Sequence, residues 1–236
     1  MGNIAGIPVI AQVVNAANNN GLARKVLDKL LGVHPDATIP EFHSDTLRKR
    51  EARRVAPPVN ARPSAVATAT TTGKVALFTT CYCNRNAPDI GDDLIAVLEH
   101  NGIPVKLVNQ EVCCGMPKLE LGDLGKVEQV MQYNIPQLVH MIDSGYDIIA
   151  PVPSCVLMFK QELPLLYPHS ANVKKVARAF FDPFEYLMLR HKEKQLMTNF
   201  KKFTGQDCLS CSVPPACAEY RSEDERGIGT GAGHDV

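Results

Sequence analysis

The chain has 236 residues, 45% of them hydrophobic, and its 25 basic and 25 acidic side chains balance to zero formal charge. That length allows one sizeable core or two small ones, and the lack of a basic excess argues against a nucleic-acid partner. No stretch approaches the roughly 18 apolar residues of a membrane-spanning helix, and the first residues lack the basic and apolar regions of a secretory signal.

Residues 1–55 are expected to form a helical N-terminal segment. Val9, Ile10, Val13, Val14 and Ala17 recur at helical spacing, as do Leu22, Val26, Leu27, Leu30 and Leu31 after the Asn18–Gly21 break. Gly32 and then Pro35 provide a helix stop. Two readings of these helices stay open. They pack on a neighbouring domain, or they lie on a membrane surface, which Arg24, Lys25 and Lys29 would suit. Arg48, Lys49, Arg50, Arg53 and Arg54 make residues 43–54 dense in charge. Such a run reads as a solvated helix end, or as a contact for anionic lipid or an acidic partner. Residues 56–73 are rich in Pro, Ala, Ser and Thr, and are expected to be a linker at the main domain boundary.

Residues 74–206 are expected to be an α/β domain. Val75-Ala76-Leu77-Phe78 is a short apolar run leading to Cys81, followed by a helix through Leu94, Val97 and Leu98 that closes at Asn101-Gly102. Val105-Lys106-Leu107-Val108 reads as the second strand. A long helix through Val127, Val130, Leu138, Val139 and Ile142 ends at Ser144-Gly145, and Ile148-Ile149-Ala150-Pro151-Val152 reads as the third strand, leading to Cys155. This βαβαβ order predicts a parallel sheet with right-handed crossovers.

Ligands of open parallel sheets sit at the carboxyl ends of the strands. Cys81, the pair Cys113-Cys114, and Cys155 each follow a predicted strand, so four thiols are expected at one edge. The chain has eight cysteines. Without a secretory signal, such a count implies a reducing compartment and metal or redox use rather than a disulfide framework. Two thiolates from one turn, with single thiolates from two other loops, suit a polynuclear iron–sulfur cluster better than a lone ion. A zinc site would draw on C-x-x-C knuckles, which this region lacks. Gly115 would permit close backbone approach beside the pair, and Pro153 would stiffen the loop before Cys155. The competing reading is four unliganded buried thiols, because free cysteine is often buried. Cys83 is left as a spare or packing thiol, Met158 as core, and His100 and His140 as surface histidines.

Leu77-Phe78-Thr79-Thr80-Cys81, Cys113-Cys114-Gly115-Met116-Pro117, Gly145-Tyr146-Asp147-Ile148 and Pro151-Val152-Pro153-Ser154-Cys155 together resemble the cysteine-rich CCG domain of iron–sulfur oxidoreductases. That domain occurs in the C subunit of anaerobic glycerol-3-phosphate dehydrogenase, in the iron–sulfur subunit of glycolate oxidase and in the B subunit of heterodisulfide reductase. The likeness is strongest to the glycerol-3-phosphate dehydrogenase type, which Phe159–Leu165 and Phe184–Leu187 also resemble. The resemblance implies a 4Fe-4S cluster with Cys81, Cys113, Cys114 and Cys155 as ligands. It further implies an electron-transfer subunit serving flavin-containing dehydrogenase subunits and passing electrons toward membrane quinone. The implied location is cytoplasmic, with peripheral contact at the inner face of the cytoplasmic membrane. Two alternatives remain: thiol–disulfide catalysis of the heterodisulfide reductase kind, and a cluster-free interaction fragment.

The chain departs from that family's pattern at both ends, and is expected to be truncated there. It carries neither the preceding ferredoxin-like segment, with two C-x-x-C-x-x-C-x-x-x-C-P motifs, nor a second cysteine-rich repeat. Residues 207–236 change character. Cys208, Cys211 and Cys217 resemble a metal knuckle, yet no apolar periodicity surrounds them. Shifting the possible codons after Gly205-Gln206 by one base permits I-A-Y-H-V-P-C-H-L-R-A-Q-N-I-G-L-K-T, which resembles the family's continuation. The tail is therefore expected to be irregular and out of frame, with accidental cysteines.

Overall fold

The computed structural model describes residues 8–54 and 71–198. Most of the expected linker, all of the tail and Cys208, Cys211 and Cys217 lie outside those residues. The two N-terminal helices form as the periodicity predicts, α1 over Pro8–Asn18 and α2 over Gly21–Leu31. Asn20 caps α2 by accepting from Leu22 and Ala23, and Gly32 ends it in the left-handed conformation. Arg24 is buried, because its guanidinium donates to the carbonyls of His34, Pro35 and Ala37. It fastens the following loop rather than facing outward. Leu22, Val26, Leu30 and Leu31 are exposed.

Helix α3 (Leu47–Arg53) holds the charged run. Its arginines are engaged within the chain. Arg48 pairs with Glu111, Arg50 with Asp45, Asp89 and Asp92, Arg53 with Asp45, and Arg54 with Glu51 and Glu99. Each of these arginines has carboxylate partners close enough to hold it, several of them distant in sequence, which spacing alone does not reveal. Leu47 is fully buried in one cluster with Ile95 and Leu98 of the helix Pro88–His100.

From residue 75 the chain alternates strand and helix. Strand β1 (Val75–Leu77) leads into α4 (Cys81–Arg85) and α5 (Pro88–His100), then β2 (Val105–Leu107). Helices α6 (Met116–Glu120) and α7 (Leu124–Asp143) precede β3 (Asp147–Ile149). Helix α8 (Pro153–Leu157) continues as a π-helical turn, Met158–Glu162, and then α9 (Leu163–Leu166). Helix α10 (Ala171–Ala179), β4 (Phe180–Phe181) and α11 (Pro183–Lys192) complete the described fold.

The sheet is wholly parallel, in the order β2-β1-β3-β4, with Val75 opposite Val105 and Ala76 opposite Ile148. It is the expected α/β class. Side chains alternate across it with the period of two that a strand imposes. Ala76, Phe78, Ile148 and Phe180 face α7 and α10, whereas Val75, Leu77, Ile149 and Phe181 face α5 and α11. Both faces are covered, so the strands read as continuous apolar runs. Gly91 permits the approach of α3, since a Cβ there would lie 2.2 Å from the Leu47 Cδ2 atom.

The chain leaves β1 toward β2 and leaves β3 toward β4, in opposite directions. The carboxyl ends of the adjacent strands β1 and β3 therefore flank a topological switch point, where doubly wound sheets open a crevice.

Candidate metal centre

Cys81 follows β1 as the first residue of α4. The residue before it, Thr80, caps α4 by accepting from the Cys83 N–H at 3.1 Å, and holds φ 60° and ψ 162°. That region is almost reserved for glycine and costs a β-branched residue about 1–3 kcal/mol. Such strain persists only where the surroundings over-determine it.

Cys113 and Cys114 stand on the loop between β2 and α6. Asn134, buried on α7, holds that loop. Its Oδ1 accepts from the Val112 N–H at 3.0 Å, and its Nδ2 donates to the carbonyls of Val112 at 3.3 Å and Cys113 at 3.1 Å. Gly115 follows with φ 96°, and a Cβ there would meet the Val130 Cγ2 atom at 2.7 Å. Only glycine fits both the dihedral and the gap.

Cys155 lies in the first turn of α8, after Pro153 at the helix start. The π-helical turn beyond it buries Phe159, which stacks on Phe180 at 4.7 Å and meets Phe78 edge-on at 5.2 Å. The third cysteine loop is thereby anchored in the core on one face of the sheet.

The four expected thiols do come together. Cys155 Sγ lies 3.2 Å from Cys114 Sγ, while Cys113 exchanges hydrogen bonds with both Cys114 and Cys81. Cys114 and Cys155 are buried, Cys113 is half-buried, and Cys81 is exposed. The site thus has a closed inner side and an open outer side. Donation from Cys114 and Cys81, the Gly115 N–H and the charge of Lys118 hold the Cys113 thiol well below the usual thiol range. Cys114 is pushed up by its bond to Cys113, by Cys155 and by burial, and Cys81 is pushed up by its bond to Cys113 and by burial. Cys113 is thus the thiol that its neighbouring donors hold toward the charged form.

Cys83 is buried beside this group, and burial pushes its thiol up to about 11. Met158 is in the core, and His100 and His140 are exposed, as expected. Among the described residues, no three His, Cys, Asp or Glu side chains are set to hold a single metal ion. A set of soft thiols from three separate loops, with backbone N–H donors between them, fits a polynuclear sulfur-bridged group in its donor chemistry.

Three residues that shape the site were not singled out by the sequence pattern: Thr80, Asn134 and Glu111. The Glu111 carboxylate is buried, accepts from the Thr79 N–H at 3.0 Å and pairs with Arg48. Burial pushes its pKa up, against the opposing pull of Arg48 and Thr79. Among the described residues, no helix is long and apolar enough to cross a membrane.

Comparison with known proteins agrees with this geometry. Residues 75–160 match the family profile of the cysteine-rich domain, CCG. The C subunit of anaerobic glycerol-3-phosphate dehydrogenase from Escherichia coli (strain K12) is 29% identical over 164 residues, covering 69% of this chain and 38% of that protein. The B subunit of fumarate reductase (CoM/CoB) from Methanothermobacter marburgensis is 29% identical over 118 residues, 50% of this chain and 23% of that protein. Lactate utilization protein A of Bacillus cytotoxicus is 28% identical over 126 residues, 49% of this chain and 48% of that protein. The chain thus spans less than half the length of each of these relatives. No solved structure gives a significant match. With its paired cysteines at the carboxyl edge of a parallel sheet, the segment 75–160 is similar to the CCG cysteine-rich domain.

Proposed function

We propose that the chain is an iron–sulfur electron-transfer subunit, or the cysteine-rich part of one, with Cys81, Cys113, Cys114 and Cys155 as cluster ligands. The observation that carries this reading is the convergence of those four thiols at the β1/β3 switch point. When bound, the group, of the 4Fe-4S type, supplies one-electron acceptance and donation at that edge. The residues of the chain bind and tune it. The Gly115 and Met116 N–H groups donate to Cys113 and Cys114 sulfur, and Lys118 adds positive charge near Cys113. Each of these favours the electron-rich thiolate form. Burial of Cys114 and Cys155 keeps water from the inner side, and exposure of Cys81 leaves a path for a partner on the outer side.

The relatives named as dehydrogenase and reductase subunits support an oxidoreductase assembly. In that assembly the chain receives electrons from flavin-containing dehydrogenase subunits, with glycerol 3-phosphate as a substrate of the complex, and passes them toward quinone. It does so in the cytoplasm, peripherally at the inner face of the cytoplasmic membrane. The expected boundaries, a helical segment over 1–55 and a cysteine-rich domain over 74–206, belong to this proposal. The test is anaerobic stopped-flow reduction of the iron-loaded chain by a reduced flavoprotein, followed by reoxidation with a soluble quinone. Transfer to quinone is expected. Turnover of a disulfide instead would favour thiol–disulfide catalysis, and a chain that takes up no iron on reconstitution would leave a cluster-free interaction fragment.

A further inference from the structure

One side chain of α3, a helix outside the matched family segment, reaches the cysteine loops. Arg48 donates from Nη2 to the Val108 carbonyl at 2.5 Å and to Glu111, and from Nη1 to the Asn109 carbonyl at 3.1 Å. All three acceptors lie on the segment that runs from β2 to Cys113. Glu111 in turn accepts from the N–H of Thr79 at 3.0 Å and from the Thr79 hydroxyl. Thr79 is two residues before Cys81. The Arg48 N–H also donates to Asn84 at 3.2 Å, on the helix that Cys81 opens. One arginine–carboxylate pair therefore ties both cysteine loops to α3.

The Glu111 side chain is only 5% exposed. A carboxylate so buried is tolerated when its partners are in place and is costly when one is removed. The strained Thr80 lies between the tied residue Thr79 and Cys81, so slack in this pair would release the strain and move Cys81.

We propose that Arg48 and Glu111 are positioning residues that set the spacing between Cys81 and Cys113, and through it the readiness of the edge to take up iron. The part about iron rests on the function proposed above; the part about thiol spacing does not.

Dibromobimane bridges two thiols in near contact, and peptide mapping identifies the Cys81–Cys113 adduct in the metal-free full chain. Arg48→Met and Glu111→Gln should each slow that bridging by about tenfold, as expected for loss of charge-assisted hydrogen bonds. The double variant should be no slower than either single one, because the pair acts as a unit. Arg48→Lys should recover part of the rate. Arg54→Met breaks pairs of the same helix that do not touch the loops, and should change bridging less than about twofold. After reconstitution, iron loss to a chelator should accelerate in Arg48→Met and Glu111→Gln and not in Arg54→Met. Unchanged bridging in the Arg48 and Glu111 variants, or an equal fall in Arg54→Met, would overturn the proposal. A native chain that bridges as expected but takes up no iron would leave the positioning role intact and remove the iron–sulfur reading.

Discussion

Cys155 Sγ approaches Cys114 Sγ to 3.2 Å, although the two residues lie 41 positions apart and on loops that follow different strands. Neither loop dictates the contact. It results from parallel register, which brings the ends of β1, β2 and β3 to one edge, and from the anchoring of each loop by its own core contacts.

The Cys113 loop depends on Asn134. Asn134→Ala removes one acceptor and two donor contacts from buried backbone, and should cost about 1–3 kcal/mol. Asn134→Asp keeps the acceptor but sets a carboxylate oxygen against two carbonyls, so it should cost more than alanine at neutral pH. Urea denaturation of the metal-free chain measures both. An aspartate variant as stable as the native chain would contradict the hydrogen-bond assignment.

Thr80 gives an inverted order of substitutions. Thr80→Ala loses the cap on Cys83 and keeps the strained φ, whereas Thr80→Gly loses the cap and relieves the strain. The glycine variant should be more stable than the alanine variant by about 1 kcal/mol or more. Thermal unfolding of the pair decides it, and an alanine variant above the glycine variant would show that Thr80 is not strained.

Gly115→Ala meets both a left-handed φ and the Val130 methyl at 2.7 Å. It should lower stability by about 2 kcal/mol or more. Adding Val130→Ala should recover only the steric part of that loss. Full recovery in the double variant would mean that the dihedral is no constraint.

The pH response of stability should carry a signature of Asp147. Burial raises its pKa, outweighing the Thr72 hydrogen bonds and the charge of Arg190. A carboxyl raised in the folded state holds its proton where the unfolded chain has lost it. Its contribution is therefore full below the ordinary carboxylate range and declines as pH rises through the raised value. Asp147→Asn should flatten that decline, read as urea midpoint against pH. Identical slopes for the two proteins would contradict the burial argument.

Much of this architecture was legible in the sequence because local pattern and tertiary demand coincide. Val75-Ala76-Leu77-Phe78 is apolar throughout because both sheet faces are covered, and Asn20 and Gly32 mark the ends of α2 by chemistry that needs no partner. The gathering of Cys81, Cys113, Cys114 and Cys155 followed from strand order alone. What could not be read depends on distance in the chain. Arg48 looked like one charge in a solvated run, since its partner Glu111 is 63 residues away. Asn134 is a polar position inside a long helix, and only the fold turns it toward Val112. The π-helical turn at Met158–Glu162 and the two-residue strand β4 are too short to leave a periodicity.

The central claim is that these four cysteines hold an iron–sulfur cluster, and iron and acid-labile sulfide per chain after anaerobic reconstitution measure it most directly. The native chain and Cys83→Ser should bind equimolar iron and sulfide with charge-transfer absorption in the visible range, and serine at Cys81, Cys113, Cys114 or Cys155 should lower both contents. No sulfide-containing iron in the native chain, or equal contents in all five serine variants, would contradict it.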